Sequence, residues 1–238
     1  NKEYLETCLR DMREHGMNAV TGYVYPKGGP VMTTTSPSGP ISMTDTLDAI
    51  SRTGLLKAGG NFVWIAAACY GGDTLRVFTD AVRQRDYQMV FYAIDEPGSE
   101  RRNKQVRAVV PRLRKSCPDV PITTAIGAEG IELVGDYYDT WICAVKSIDD
   151  ARVAEAKEKG KTLWSYECGL SPTDALTCRH YLGYLLWRTG AKGAAFWCYC
   201  DGGAFDRFHL QVRDWTGYDD RHTYQLDFAW CTPEGPIP

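Results

Sequence analysis

The segment Val90-Phe-Tyr-Ala-Ile-Asp95-Glu96-Pro97 runs an apolar strand into two adjacent carboxylates. Side by side at the end of a buried strand, the two charges repel and partial burial penalises ionising both, so one is more easily protonated than the other. That is the requirement for acid/base chemistry with a second, charged carboxylate at hand. Pro97 disfavours the helical region for the residue before it, so Glu96 is expected to stay extended at the rim rather than join the next helix. The plainer reading is that Asp95 and Glu96 cap that helix, but Ser99 and Glu100 already suffice there.

Two further strand ends carry the same kinds of residue. Leu163-Trp-Ser-Tyr-Glu167 offers Trp164, Tyr166 and a third carboxylate, and Gly193-Ala-Ala-Phe-Trp197-Cys-Tyr199-Cys-Asp201 offers two aromatics and Asp201. Tyr25 ends an earlier strand-like run. Aromatic faces stack on the C–H faces of sugar rings, and carboxylates accept hydroxyl hydrogen bonds, so this combination fits a carbohydrate site. Glu167 reads either as a rim residue or as the nucleophile partner of Glu96. Carboxylates about 5–5.5 Å apart support a retaining mechanism of that kind, and about 6.5–9.5 Å an inverting one. Trp197 and Tyr199 share a strand face; if that face points outward, Phe196, Cys198 and Cys200 point inward instead. Cys198-x-Cys200 with Cys168 lacks the spacing of a thiolate knuckle, and no H-E-x-x-H occurs, so neither a metal nor a cofactor is expected.

The elements that must position these residues alternate along the chain. Lys2 to His15 places Leu5, Cys8, Leu9 and Met12 on one helical stripe stopped by Gly16. Strand-like runs then start near residues 19, 62, 89, 121, 140, 161 and 193, with helical patterns between them. This is the rhythm of repeated βα units, and it predicts an α/β fold of the (β/α)8 TIM-barrel type, residues 1–238 forming a single barrel domain. With a helix at the start and seven strands after it, the barrel is expected to be incomplete, its first strand and last helix lying outside the chain. Such an opening would expose two strand edges. A doubly wound sheet is the alternative, but no G-x-G-x-x-G turn is present. Lys27 to Pro40 and Asp201 to Trp230 read as irregular loops that set substrate choice.

Composition narrows the partners. Among 238 residues, 27 Lys+Arg against 30 Asp+Glu give a net charge of −3, which argues against binding nucleic acid through a basic face. The longest apolar run falls well short of the ~18 residues of a membrane span. Nine cysteines, spread through the chain, read as buried free thiols.

Taken together, Tyr92-Ala-Ile-Asp95-Glu96-Pro97, Trp164-Ser-Tyr166, Arg179-His-Tyr-Leu-Gly-Tyr-Leu-Leu-Trp187-Arg-Thr-Gly190 and Gly193-Ala-Ala-Phe-Trp197-Cys-Tyr199 resemble the catalytic domain of glycoside hydrolase family 123 and related barrel domains. The similarity runs from about Tyr23 to the C-terminus. It implies a β-N-acetylgalactosaminidase or similar exo-glycosidase in which the substrate's own 2-acetamido oxygen attacks the anomeric carbon. Asp95 would then orient the acetamido group, Glu96 would act as acid and base, and Trp164, Tyr166, Trp197 and Tyr199 would enclose the sugar. The Tyr-Glu-Cys that follows Trp164-Ser departs from the family's pattern.

Overall fold

The computed structural model describes residues 2–22, 43–167, 176, 179–196 and 226–230. Helix α1 (Lys2–Glu14) leads into β1 (Ala19–Gly22), α2 (Met43–Thr53), β2 (Asn61–Trp64), α3 (Gly72–Arg83), β3 (Gln88–Tyr92), α4 (Glu100–Ser116) and β4 (Ile122–Ala125). Then come α5 (Ala128–Val134), β5 (Thr140–Ala144), α6 (Asp150–Glu158), β6 (Thr162–Glu167), a π-helical turn (His180–Tyr184) continued by α7 (Leu185–Thr189), β7 (Gly193–Phe196) and β8 (Leu226–Trp230). Strands β1 to β7 are parallel, each paired with the next, with helices on the outside. This is the expected incomplete (β/α) barrel.

The gap between β7 and β1 is filled in a way the sequence reading does not anticipate. Strand β8, inside the segment read as irregular loop, pairs antiparallel with both neighbours: Ala195↔Ala229 on one side and Ala19↔Ala229 on the other. The ring therefore closes, and the two edges expected to be bare are covered. Because β8 runs against β7, Phe196 and Leu226 both lie at the end of the ring where β1 finishes, which is the mouth.

Strand alternation sorts the core into two compartments. Ala19, Val63, Val90, Ile142 and Trp164 form a buried cluster inside the ring, with Tyr92 and Tyr166 packed on it. The alternate residues Phe62, Trp64, Met89, Phe91, Ile122, Trp141 and Leu163 join the helices, including Leu9 and Met12 of the predicted α1 stripe. Each fully buried side chain of this size contributes about 1.5–3 kcal/mol. Gly16, at φ 78°, ends the α1 segment as expected. The strand expected over Asn61 to Cys69 is shorter: it stops at Trp64, and Ile65–Cys69 coil into a 3₁₀ turn. The run Ala66-Ala67-Ala68 lacks the branched and aromatic side chains that favour a pleated strand.

One glycine is set by the interior packing. Trp164 pairs in register with Gly193, and a methyl group on Gly193 would stand 2.9–3.0 Å from three atoms of the indole ring. Gly193→Ala should therefore destabilise the chain by about 1–3 kcal/mol, the usual result of overpacking. Urea unfolding checks this, and an unchanged midpoint would mean that the ring does not lie there. Among the described residues no helix is long and apolar enough to cross a membrane.

Candidate active site

Strand β3 ends at Tyr92, and its ladder continues one residue further, Ala93 N donating to Thr123 O at 3.1 Å. The chain then turns over the rim toward α4. Thr124 Oγ1 donates to Ile94 O at 2.6 Å and Tyr138 OH reaches the same carbonyl at 3.5 Å, which pins the backbone just before Asp95. Glu96 N donates to Ala125 O at 3.1 Å, so the turn is tied to the end of β4.

Glu96 itself departs from the extended conformation expected of it. Its φ is 43°, in the left-handed region that non-glycine residues rarely adopt. The residue before a proline is kept out of the right-handed helical region, and that rule leaves two ways out. Here the need to turn from β3 toward α4 selects the left-handed one. Local strain of this sort costs on the order of 1–3 kcal/mol and persists only where the surroundings impose it. Those surroundings are visible: Arg102 Nη1 donates to Glu96 O at 2.9 Å, Asn103 Nδ2 donates to Gly98 O at 3.1 Å, and Pro97 is buried. Ser99 caps α4, its Oγ accepting from Arg102 N at 3.4 Å, so the cap is not made by Asp95 or Glu96.

The two carboxylates face different partners. Asp95 Oδ1 accepts a hydrogen bond from the Tyr92 hydroxyl, whose oxygen in turn accepts from Ala125 N at 3.0 Å. Burial, and then the charge of Asp95, hold the Tyr92 phenol well above its ordinary range, so it stays a donor. Glu96 instead turns its Oε2 to Arg102 Nη1 at 3.4 Å, with side chains 69% and 35% exposed respectively. An ion pair so open to water is worth at most about 1 kcal/mol, so Glu96 can leave it at little cost. Arg102→Ala removes this ion pair and also the hydrogen bond to Glu96 O, which together should cost about 1–2 kcal/mol of unfolding free energy. An unchanged urea midpoint would show that the left-handed Glu96 is held without Arg102.

A third carboxylate reaches this rim that the sequence reading passes over. Glu129 is exposed in the first turn of α5, and its Oε2 lies 3.9 Å from where a methyl group on Gly98 would sit. The signal was its place just after β4, in the loop set where barrel sites form.

The aromatic residues divide. Tyr166 packs with Tyr92 on the interior cluster, one strand alternation nearer the mouth than Trp164 and Val90. Trp164 is 6% exposed and lies against Gly193 as part of the barrel floor. Glu167 closes β6, in register with Phe196, and its side chain lies outside the described residues. Tyr25, Trp197, Tyr199 and Asp201 also lie outside them, as do Cys168, Cys198 and Cys200. Cys8 is buried, Cys117 and Cys143 are buried free thiols, and Cys69 is a free thiol exposed to solvent. Among the described residues no three His, Cys, Asp or Glu side chains come together as a metal-binding group.

No family model matches the chain, family 123 included, and no curated protein matches it. Among solved structures it is similar to a Bacteroides thetaiotaomicron VPI-5482 protein described as a "putative alpha-L-fucosidase". The TM-score is 0.51 at 11% identity, over 82% of this chain and 79% of that one. At that identity the likeness establishes a shared fold.

Proposed function

We propose that the chain is a glycoside hydrolase whose working pair is Asp95 and Glu96, acting on terminal N-acetyl-hexosaminides by substrate-assisted, retaining catalysis. The observation that carries this reading is the adjacent pair at the mouth end of β3, one carboxylate tethered by a half-buried phenol and the other loosely held and exposed. Barrel enzymes place their chemistry at that end. The fold likeness to a protein itself described as a "putative alpha-L-fucosidase" adds support for the coarser assignment, a glycosidase.

The division of labour follows from the two environments. The acetamido oxygen of the bound sugar attacks its anomeric carbon as the bond to the leaving oxygen breaks, and Glu96 donates the proton that oxygen takes up. The acetamido group becomes a positively charged ring, which Asp95 stabilises through its oriented carboxylate. Glu96, now ionised, takes a proton from water as that water opens the ring at the anomeric carbon, and configuration is retained. Tyr166, with Trp197 and Tyr199, is assigned to the sugar faces, with Trp164 supporting them from the floor. Tyr25, Glu167 and Asp201 are assigned to hydroxyl groups.

The test is hydrolysis of an aryl N-acetyl-galactosaminide together with inhibition by a thiazoline that mimics the bicyclic intermediate. Turnover with inhibition is the expected result. A fluorosugar trapped covalently on Glu167 would replace this mechanism by the two-carboxylate one, with Glu96 as acid/base. Saturable sugar binding that ignores both Asp95 and Glu96, with no turnover, would make the chain a carbohydrate-binding barrel instead.

A further inference from the structure

The position of Tyr92 raises a question of chemistry. It shares the inward face of Val90, two residues earlier, and packs on the interior cluster, as Tyr166 does. Packing alone would be served equally by Phe, which has the same ring and no polar atom to satisfy. The hydroxyl is used twice: it donates to Asp95 Oδ1 and accepts from Ala125 N at 3.0 Å. It thus joins the end of β4, a rigid element, to the carboxylate standing on the rim loop.

The rest of the loop is tied to the same strand. Ile94 O accepts from Thr124 Oγ1 at 2.6 Å, and Glu96 N donates to Ala125 O at 3.1 Å, so the backbone on both sides of Asp95 is held by β4. What remains free to vary is the side-chain torsion of Asp95, and among the described residues Tyr92 is the side chain that fixes it. Asp95 is exposed, and an exposed carboxylate without such a tether would sample several rotamers.

We infer that Tyr92 is a positioning residue for the reaction: by holding Oδ1 of Asp95 against the end of β4, it aims the remaining oxygen, Oδ2, at the acetamido group of the sugar. This rests on the functional reading above, in which Asp95 acts on that group. Two features follow. The tether costs no charge, since a neutral phenol leaves the carboxylate its full negative charge. It also orders Asp95 before substrate arrives, so that this part of the orientation is not left to the moment of reaction.

The experiment is a double-mutant cycle on the full chain with Tyr92→Phe and Asp95→Ala, read in two ways. Urea unfolding measures coupling between the two side chains without any substrate. Steady-state kinetics on the aryl N-acetyl-galactosaminide measure kcat and KM separately. Tyr92→Phe should lower kcat by up to about 100-fold with KM changed much less, as expected for a misaimed catalytic group. The same substitution should have no further effect on kcat once Asp95 is Ala.

A merely structural hydroxyl would lower stability and leave kcat alone. Asp95→Ala inactive with Tyr92→Phe at wild-type kcat would overturn this inference and leave the functional reading standing. Asp95→Ala as active as the parent would overturn both, whatever the unfolding cycle gives. Absence of coupling in unfolding, combined with a kcat loss in Tyr92→Phe that persists in the Asp95→Ala background, would assign Tyr92 a role that does not pass through Asp95.

Discussion

Glu96→Gln should abolish turnover of an alkyl N-acetyl-hexosaminide while leaving the fold intact. A positioned general acid contributes about 10²–10⁴-fold, and the amide can neither donate that proton nor take one back from water. The loss should shrink for an aryl glycoside with an acidic phenol, because such a leaving group departs with little help, and the deficit then moves to the water-activating step. Stability should hardly move: the side chain is 69% exposed and its partner Arg102 contributes an ion pair of at most about 1 kcal/mol. The contrast between a large kinetic and a small thermodynamic effect is what distinguishes a catalytic carboxylate from a structural one. Kinetics on both substrates with a urea titration measure it, and wild-type turnover in Glu96→Gln would remove Glu96 from the mechanism.

The alternation of strands and helices was legible because it rests on local pattern. The stripe of α1 and the Ser99 cap of α4 each depend on residues within a turn of one another. What was not legible depends on pairings between distant segments. Leu226, Phe228 and Trp230 alternate as a strand should, yet nothing local says that they run antiparallel between β7 and β1. Trp164 could equally have faced the helices, and the residue that decides it, Gly193, lies on the neighbouring strand. The rule for residues before proline pointed to an extended Glu96, and the left-handed conformation it takes instead depends on contacts with the first turns of α4, Arg102 among them. Tyr92 was on the page from the start, three residues before Asp95. Its use became visible only when the register brought Ala125 N beside its hydroxyl.

The same rim loop makes a second large effect expected at a glycine far from Asp95 and Glu96 in sequence. Gly130 is buried in α5, where a methyl group would stand 2.3 Å from Pro97 O, 3.0 Å from Pro97 C and 2.8 Å from Ile126 Cγ1. Helix propensity alone favours Ala over Gly by about 1 kcal/mol, so the two effects oppose each other. The contact wins, because 2.3 Å to a backbone oxygen leaves no room and the obstructing atom is not the end of a flexible side chain. Either α5 withdraws or Pro97 moves, and Pro97 is the residue next to Glu96. Gly130→Ala should therefore destabilise by about 1–3 kcal/mol net and also lower kcat by up to about 100-fold, since small displacements of reacting groups are costly. Gly183→Ala is the control, because a methyl group there meets nothing within 4 Å. It should leave both quantities near the parent values or raise stability slightly. If Gly130→Ala behaved like Gly183→Ala, the packing of α5 against Pro97 would not be what holds the Asp95-Glu96 turn in place.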